Sequence, residues 1–129
     1  MGILKREEKI LIAKRPLNKP YGGYWEFPGG KIEKNESNEA ALKRELYEEL
    51  GIHIQIAKEM PAYVHHYPDK TVLLNPWIVI QFSGEPYGRE GQTLAWVFFA
   101  ELARYQLLEG SGKLINDFNF HRVPIDGEI

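Results

Sequence analysis

GKIEKNESNEAALKRELYEELGI, Gly30 to Ile52, decides the reading of this chain. Ser37 and Asn38 are good helix starters, and Glu39 adds negative charge to the first turn. Ala40 to Leu50 contains no Gly, Pro or β-branched residue, so nothing interrupts a helix there. Gly51 is the expected stop just past the C-terminus. Leu42, Leu46 and Leu50 recur every four residues and make an apolar stripe. Glu45, Glu48 and Glu49 stand at i, i+3 and i+4, so their carboxylates share another face. Stacking like charges at that spacing costs a few tenths of a kcal/mol per pair. A divalent cation reverses that cost, because Mg²⁺ takes oxygen ligands and keeps phosphate oxygens and waters in its shell. Arg44, four residues before Glu48, is placed to orient that carboxylate. An acidic run taken alone reads as a solvated helix face.

The segment also fits one longer pattern: Gly30, five residues, Glu36, seven residues, Arg44-Glu45-Leu46, one residue, Glu48-Glu49, one residue, Gly51 and an aliphatic Ile52. Seven positions are single residue types, each present at about 6–7% in average proteins. With the aliphatic positions, a chance match is on the order of one in a billion per start point. The segment resembles the Nudix box, the magnesium and diphosphate site of the Nudix hydrolases. WEFPGGKIE at Trp25–Glu33 and GEPYGREGQTLAW at Gly84–Trp96 are similar to the MutT branch, the nucleoside triphosphate pyrophosphohydrolases that clear oxidised guanine nucleotides. The similarity covers about residues 2–116.

The resemblance implies an α/β Nudix fold: an α/β/α sandwich around a mixed sheet, with the box as a loop–helix–loop. It implies that Glu45, Glu48 and Glu49 bind Mg²⁺, with Mn²⁺ as a substitute, helped by the backbone carbonyl of Gly29 or Gly30. Glu36 braces the box loop, and Glu90 is an extra loop carboxylate, a ligand or a base. Glu45 is the first choice for the general base, with Glu48 or Glu90 second, and Arg44 completes the catalytic set. Arg15 matches a basic residue at the nucleotide, and Phe27 an aromatic at the base pocket. The ordinary readings stand beside these: Arg15 as a solvated strand-end charge, Glu90 as a surface carboxylate, Phe27 beside Trp25 as core. Trp77 and Trp96 read as core, and His65 and His66, adjacent in a strand, face opposite ways and do not share a metal.

Two departures matter. The first strand keeps only Gly2 to Lys5, shorter than the branch usually has, which leaves open a truncation, an alternative start or an edge free to pair. The branch reads its oxidised base with an Asn before the last helix, and an ungapped alignment puts Ser111 there, also a candidate helix cap. One hydroxyl lacks the two-sided contact of an amide.

The implied reaction is hydrolysis of a nucleoside triphosphate, 8-oxo-dGTP among the candidates, to the monophosphate and diphosphate. Water would attack the β-phosphorus. Two alternatives stay open: another nucleoside diphosphate linked to X (ADP-ribose, a dinucleoside polyphosphate, an RNA 5′ end), or a sensor that binds a nucleotide without cleaving it. The 129 residues fit one domain over 1–129, with 120–129 a loose tail. A net charge of −2 gives no footprint for long nucleic acid. With no cysteines there is no disulfide or thiolate chemistry. No signal-like or membrane-length apolar run occurs, so the expectation is a cytoplasmic protein, a monomer, with a nucleotide as its partner and no membrane.

The expected elements are strands over Gly2–Lys5 and Lys9–Lys14 and an extended Trp25–Phe27, with a loop at Pro16–Tyr24. After the helix come strands over Ile52–Tyr67 and Thr71–Phe82, a loop at Ser83–Gln92 and a strand at Leu94–Phe99. A helical turn at Ala100–Tyr105 and a last helix at Ser111–Phe118 complete the chain.

Overall fold

The apolar run Ile10-Leu11-Ile12-Ala13 forms the spine of the sheet, and the other elements are placed against it. The computed structural model describes residues 1–30 and 32–112. In chain order the elements are β1 (Gly2–Arg6), β2 (Lys9–Lys14), β3 (Trp25–Glu26), α1 (Asn38–Leu50), β4 (His53–Glu59), β5 (Tyr63–His66), β6 (Thr71–Leu74), β7 (Trp77–Ser83) and β8 (Thr93–Phe98). A 3₁₀ helix follows at Phe99–Arg104. β2 pairs antiparallel with β8 along all of Lys9–Lys14, and meets β1 at one end and β3 at the other. β1 pairs in parallel with β7, which carries β4 antiparallel, so the sheet is mixed as expected. β1 therefore has a neighbour on each side. The short first strand is not an open edge.

Alternation along the strands splits the core between the two faces. Leu4, Leu11, Ile52 and Val79 meet Leu42, Leu46 and Leu50 of α1, the stripe read from the sequence. Ile3, Ile10, Ile12, Ile78 and Ile80 face the other way, with Phe27 and Leu102 packed on them. α1 is punctuated as its sequence requires. The Ser37 hydroxyl accepts from the Ala40 N–H at 3.1 Å, and Gly51 closes the helix at φ 72 with its N–H on the Tyr47 carbonyl.

Two expectations are corrected. The long strands over Ile52–Tyr67 and Thr71–Phe82 each break in two, and β5 and β6 form a separate two-stranded sheet. Pro61 and Pro76 lie in the breaks, and a proline has no N–H to give a ladder. The last helix begins earlier than Ser111: Glu109–Gly112 are already helical, and the Gly112 N–H reaches the Leu108 carbonyl at 2.8 Å. Ser111 thus sits inside the first turn and is not its cap. The β5–β6 hairpin takes over part of that role, since the Tyr67 hydroxyl accepts the Gly110 N–H at 2.9 Å and Tyr63 donates to the Gly110 carbonyl. Residues 113–118 of that helix and the tail at 120–129 lie outside the described residues.

Candidate active site

Arg44 gathers the carboxylates of the box. Its guanidinium donates to Glu36 at 2.6 and 3.0 Å, to Glu45 Oε1 at 2.7 Å and to Glu48 Oε2 at 3.2 Å. Glu36 in turn accepts the Glu33 N–H at 2.9 Å, tying the loop before α1 to the helix. The Arg44 contacts, with that N–H behind them, hold Glu36 below its ordinary pKa, and Arg44 itself is held above its own. Gly30 lies against this cluster: a Cβ there would fall 2.2 Å from Glu45 Oε2. A side chain there would have to displace that carboxylate.

Glu49 differs from its neighbours. One of its carboxylate oxygens, Oε2, is buried with no hydrogen-bond partner among the described residues. Burial first, then the negative charges of Glu45, Glu90 and Glu26, push its carboxyl up to about 8. Glu48 is half-exposed and Glu90 exposed. An orphaned, buried carboxylate oxygen among further carboxylates is a donor set of hard oxygens, the kind Mg²⁺ or Mn²⁺ takes. The family's divalent cation fits these residues. Among the described residues no three acidic or histidine side chains stand ready-made as a metal cage. Arg44 holds Glu45 and Glu48 on its own guanidinium.

The second half of the site is the loop between β7 and β8, which folds over the C-terminal end of α1. Arg89 donates from Nη1 to the Tyr47 carbonyl at 2.8 Å, and its backbone N–H reaches the Glu49 carbonyl at 3.1 Å. Gln92 Nε2 reaches the same Glu49 carbonyl at 2.9 Å. Glu90 is carried on this loop, near enough for its charge to act on Glu49. Neither Arg89 nor Gln92 stands out in the sequence. The one available signal is that the last turn of α1 contains no basic residue, so its carbonyls must find donors elsewhere.

The residues expected at the nucleotide are scattered more widely. Arg15 is not a solvated charge: it donates to Glu26 at 3.1 and 3.3 Å and to the Pro20 carbonyl at 2.8 Å. Glu26, which sequence reasoning passed over, is raised by burial and pulled back by Arg15 and Lys70. Phe27 is 3% exposed and packs in the core behind β3. Ser111 is 6% exposed, beside the two hairpin tyrosines. His65 and His66 do point apart, to Glu109 and Thr71. Trp77 is core, while Trp96 is half-buried beneath the Arg6 guanidinium.

Known proteins resemble this chain in sequence and in fold. The family description "NUDIX domain" matches residues 1–117. The CTP pyrophosphohydrolase of Escherichia coli K12 is 36% identical over 117 residues, covering 91% of this chain and 87% of that protein. The 8-oxo-dGTP diphosphatase of Haemophilus influenzae is 37% identical over 116 residues, covering 89% and 85%. The crystal structure of a MutT Nudix hydrolase from Burkholderia pseudomallei superposes with a TM-score of 0.82 at 27% identity, covering 92% and 94%. By sequence and by fold alike, the chain belongs to the NUDIX domain family, among its MutT-like hydrolases.

Proposed function

We propose that this protein hydrolyses a nucleoside triphosphate to the monophosphate and diphosphate, with Mg²⁺ as the working cation and water attacking the β-phosphorus. The observation that carries the reading is the buried Glu49 oxygen, which has no partner among the described residues and feels the charges of Glu45 and Glu90. Such a group is costly to keep unless a ligand completes it. Glu49, Glu45, Glu48 and Glu90, with the carbonyl of Gly29 or Gly30, would hold the metal. When bound, it neutralises phosphate oxygens and acidifies a coordinated water. Arg44 orients Glu45 and Glu48, and Glu36 keeps Arg44 in place. Glu45 accepts the water's proton, with Glu48 or Glu90 as the alternative. Arg15, aimed by Glu26, meets the phosphate chain.

Relatives named for CTP and for 8-oxo-dGTP support a nucleotide-pool sanitising role and leave the preferred base between a pyrimidine and an oxidised purine. Ser111 in place of an amide favours a loose reading of the base. The deciding assay follows diphosphate release with Mg²⁺ over 8-oxo-dGTP, dGTP, CTP, ADP-ribose, a dinucleoside polyphosphate and a capped RNA. Release from the triphosphates supports the proposal. Turnover confined to the last three moves the enzyme to another linked nucleoside diphosphate, and binding without turnover makes it a sensor.

A further inference from the structure

Glu49 and Glu90 lie on different elements, and one side-chain amide joins their backbones. Gln92 donates from Nε2 to the Glu49 carbonyl at 2.9 Å and accepts on Oε1 from the Glu90 N–H at 2.9 Å. The partners fix the orientation of the amide, since a backbone N–H only donates and a carbonyl only accepts. The neighbouring contacts run the same way. The Tyr87 N–H reaches the Leu50 carbonyl at 3.2 Å, and the Arg89 guanidinium sits 5.0 Å over the Tyr47 ring. The loop thus supplies the donors that the end of α1 lacks.

Glu90 stands beside Gly91, whose φ of 80 is a turn that favours glycine. We propose that Gln92 is a positioning residue for the metal site, holding the backbones of Glu49 and Glu90 at the spacing a shared cation needs. This rests on the reading of those two glutamates as ligands. Neither nitrogen nor oxygen of Gln92 is itself a ligand in this account; it acts through the residues it holds.

The test is Mn²⁺ binding to the nucleotide-free protein, followed by the electron paramagnetic resonance of free Mn²⁺, for Gln92→Met, Glu90→Gln, Glu49→Gln and the double variant Glu90→Gln/Gln92→Met. Loss of a group that orients a ligand costs about 10–100-fold in metal affinity, so Gln92→Met should weaken Mn²⁺ by about tenfold. The Mg²⁺ concentration for half-maximal turnover should shift by the same factor, with KM for nucleotide unchanged at saturating metal. The double variant should bind no more weakly than Glu90→Gln, because a pin has nothing left to position. Wild-type Mn²⁺ affinity in Gln92→Met, with Glu49→Gln weakened, overturns the pin and leaves the metal site standing. Unchanged affinity in both overturns the two together. Equal, additive losses with and without Glu90 overturn the pin in favour of a general effect on the fold. Should Gln92→Met melt too low to assay, Gln92→Glu serves: it keeps the acceptor for Glu90, loses the donor for Glu49, and should weaken Mn²⁺ likewise.

Discussion

Glu49 keeps a proton in the folded protein that an unfolded chain gives up. Its carboxyl stands at about 8 against an ordinary 4.5, so between those values the native state binds more protons than the denatured one. Stability of the metal-free protein should therefore be fully present at low pH and decline as pH climbs through that window, levelling off above it. Melts in EDTA from pH 5 to 9 check this, and Glu49→Gln should flatten the slope; equal slopes would clear Glu49 of responsibility. Proton and cation compete for the same oxygens, so the gain in melting temperature from Mg²⁺ should grow across the same range. Turnover of Glu49→Gln should fall by about tenfold to a hundredfold or more with the fold intact. At position 111 the expectation concerns the base. A hydroxyl forgoes one hydrogen bond of the paired amide contact, worth about 0.5–1.5 kcal/mol, or about three- to twelvefold in preference. Discrimination between 8-oxo-dGTP and dGTP should be modest, and Ser111→Asn should sharpen it in kcat/KM. Strong wild-type discrimination that survives Ser111→Ala would place the reading elsewhere, with Arg15 and the Asp69 turn, where Tyr21 donates to Asp69 at 2.7 Å, next in line.

Among the elements, α1 was readable to the residue because local chemistry writes both its ends. Ser37 caps it, Gly51 ends it, and its leucine stripe needs no partner to be seen. Leu46 is fully buried in that stripe, so Leu46→Ala should cost about 2–5 kcal/mol in denaturant melts while leaving the carboxylates in place. A loss under 1 kcal/mol would mean that the helix packs less tightly than its burial shows. The strands after it were readable only as apolar stretches. Whether Pro61 and Pro76 end a strand or merely kink it depends on their two breaks meeting in space, where the Pro76 carbonyl takes the Met60 N–H. That is a long-range fact absent from either segment. Ser111 failed as a cap for a similar reason: the helix starts before it, and Tyr67, at the end of a distant hairpin, accepts the Gly110 N–H. Gln92 was invisible because its worth lies in two backbone groups far apart in sequence.

For the molecule as a whole, metal should govern both turnover and stability. EDTA should abolish diphosphate release and Mg²⁺ or Mn²⁺ restore it; full activity in a thoroughly stripped sample would sink the site. Mg²⁺ at a hundredfold over its dissociation constant should add about 2.7 kcal/mol, read as a rise in melting temperature without substrate. The mixed α/β sheet was expected from the family resemblance, whereas the strand order was not. Sequence neighbours β1 and β2 form the hairpin their two-residue turn dictates, although Glu7 and Glu8 both take positive φ where Asn-Gly is the usual choice. The parallel partner of β1 is another matter, since Gly2, Ile3 and Leu4 lie beside Trp77, Ile78 and Val79. A ribosome delivers β1 and β2 long before β7 exists. Until then β1 lacks its parallel neighbour, and closing so long a loop must precede any reward from the contact. Synthesis of this enzyme thus passes through an interval in which its most apolar hairpin is uncovered, the stage at which a nascent-chain chaperone would find it and an aggregate would start.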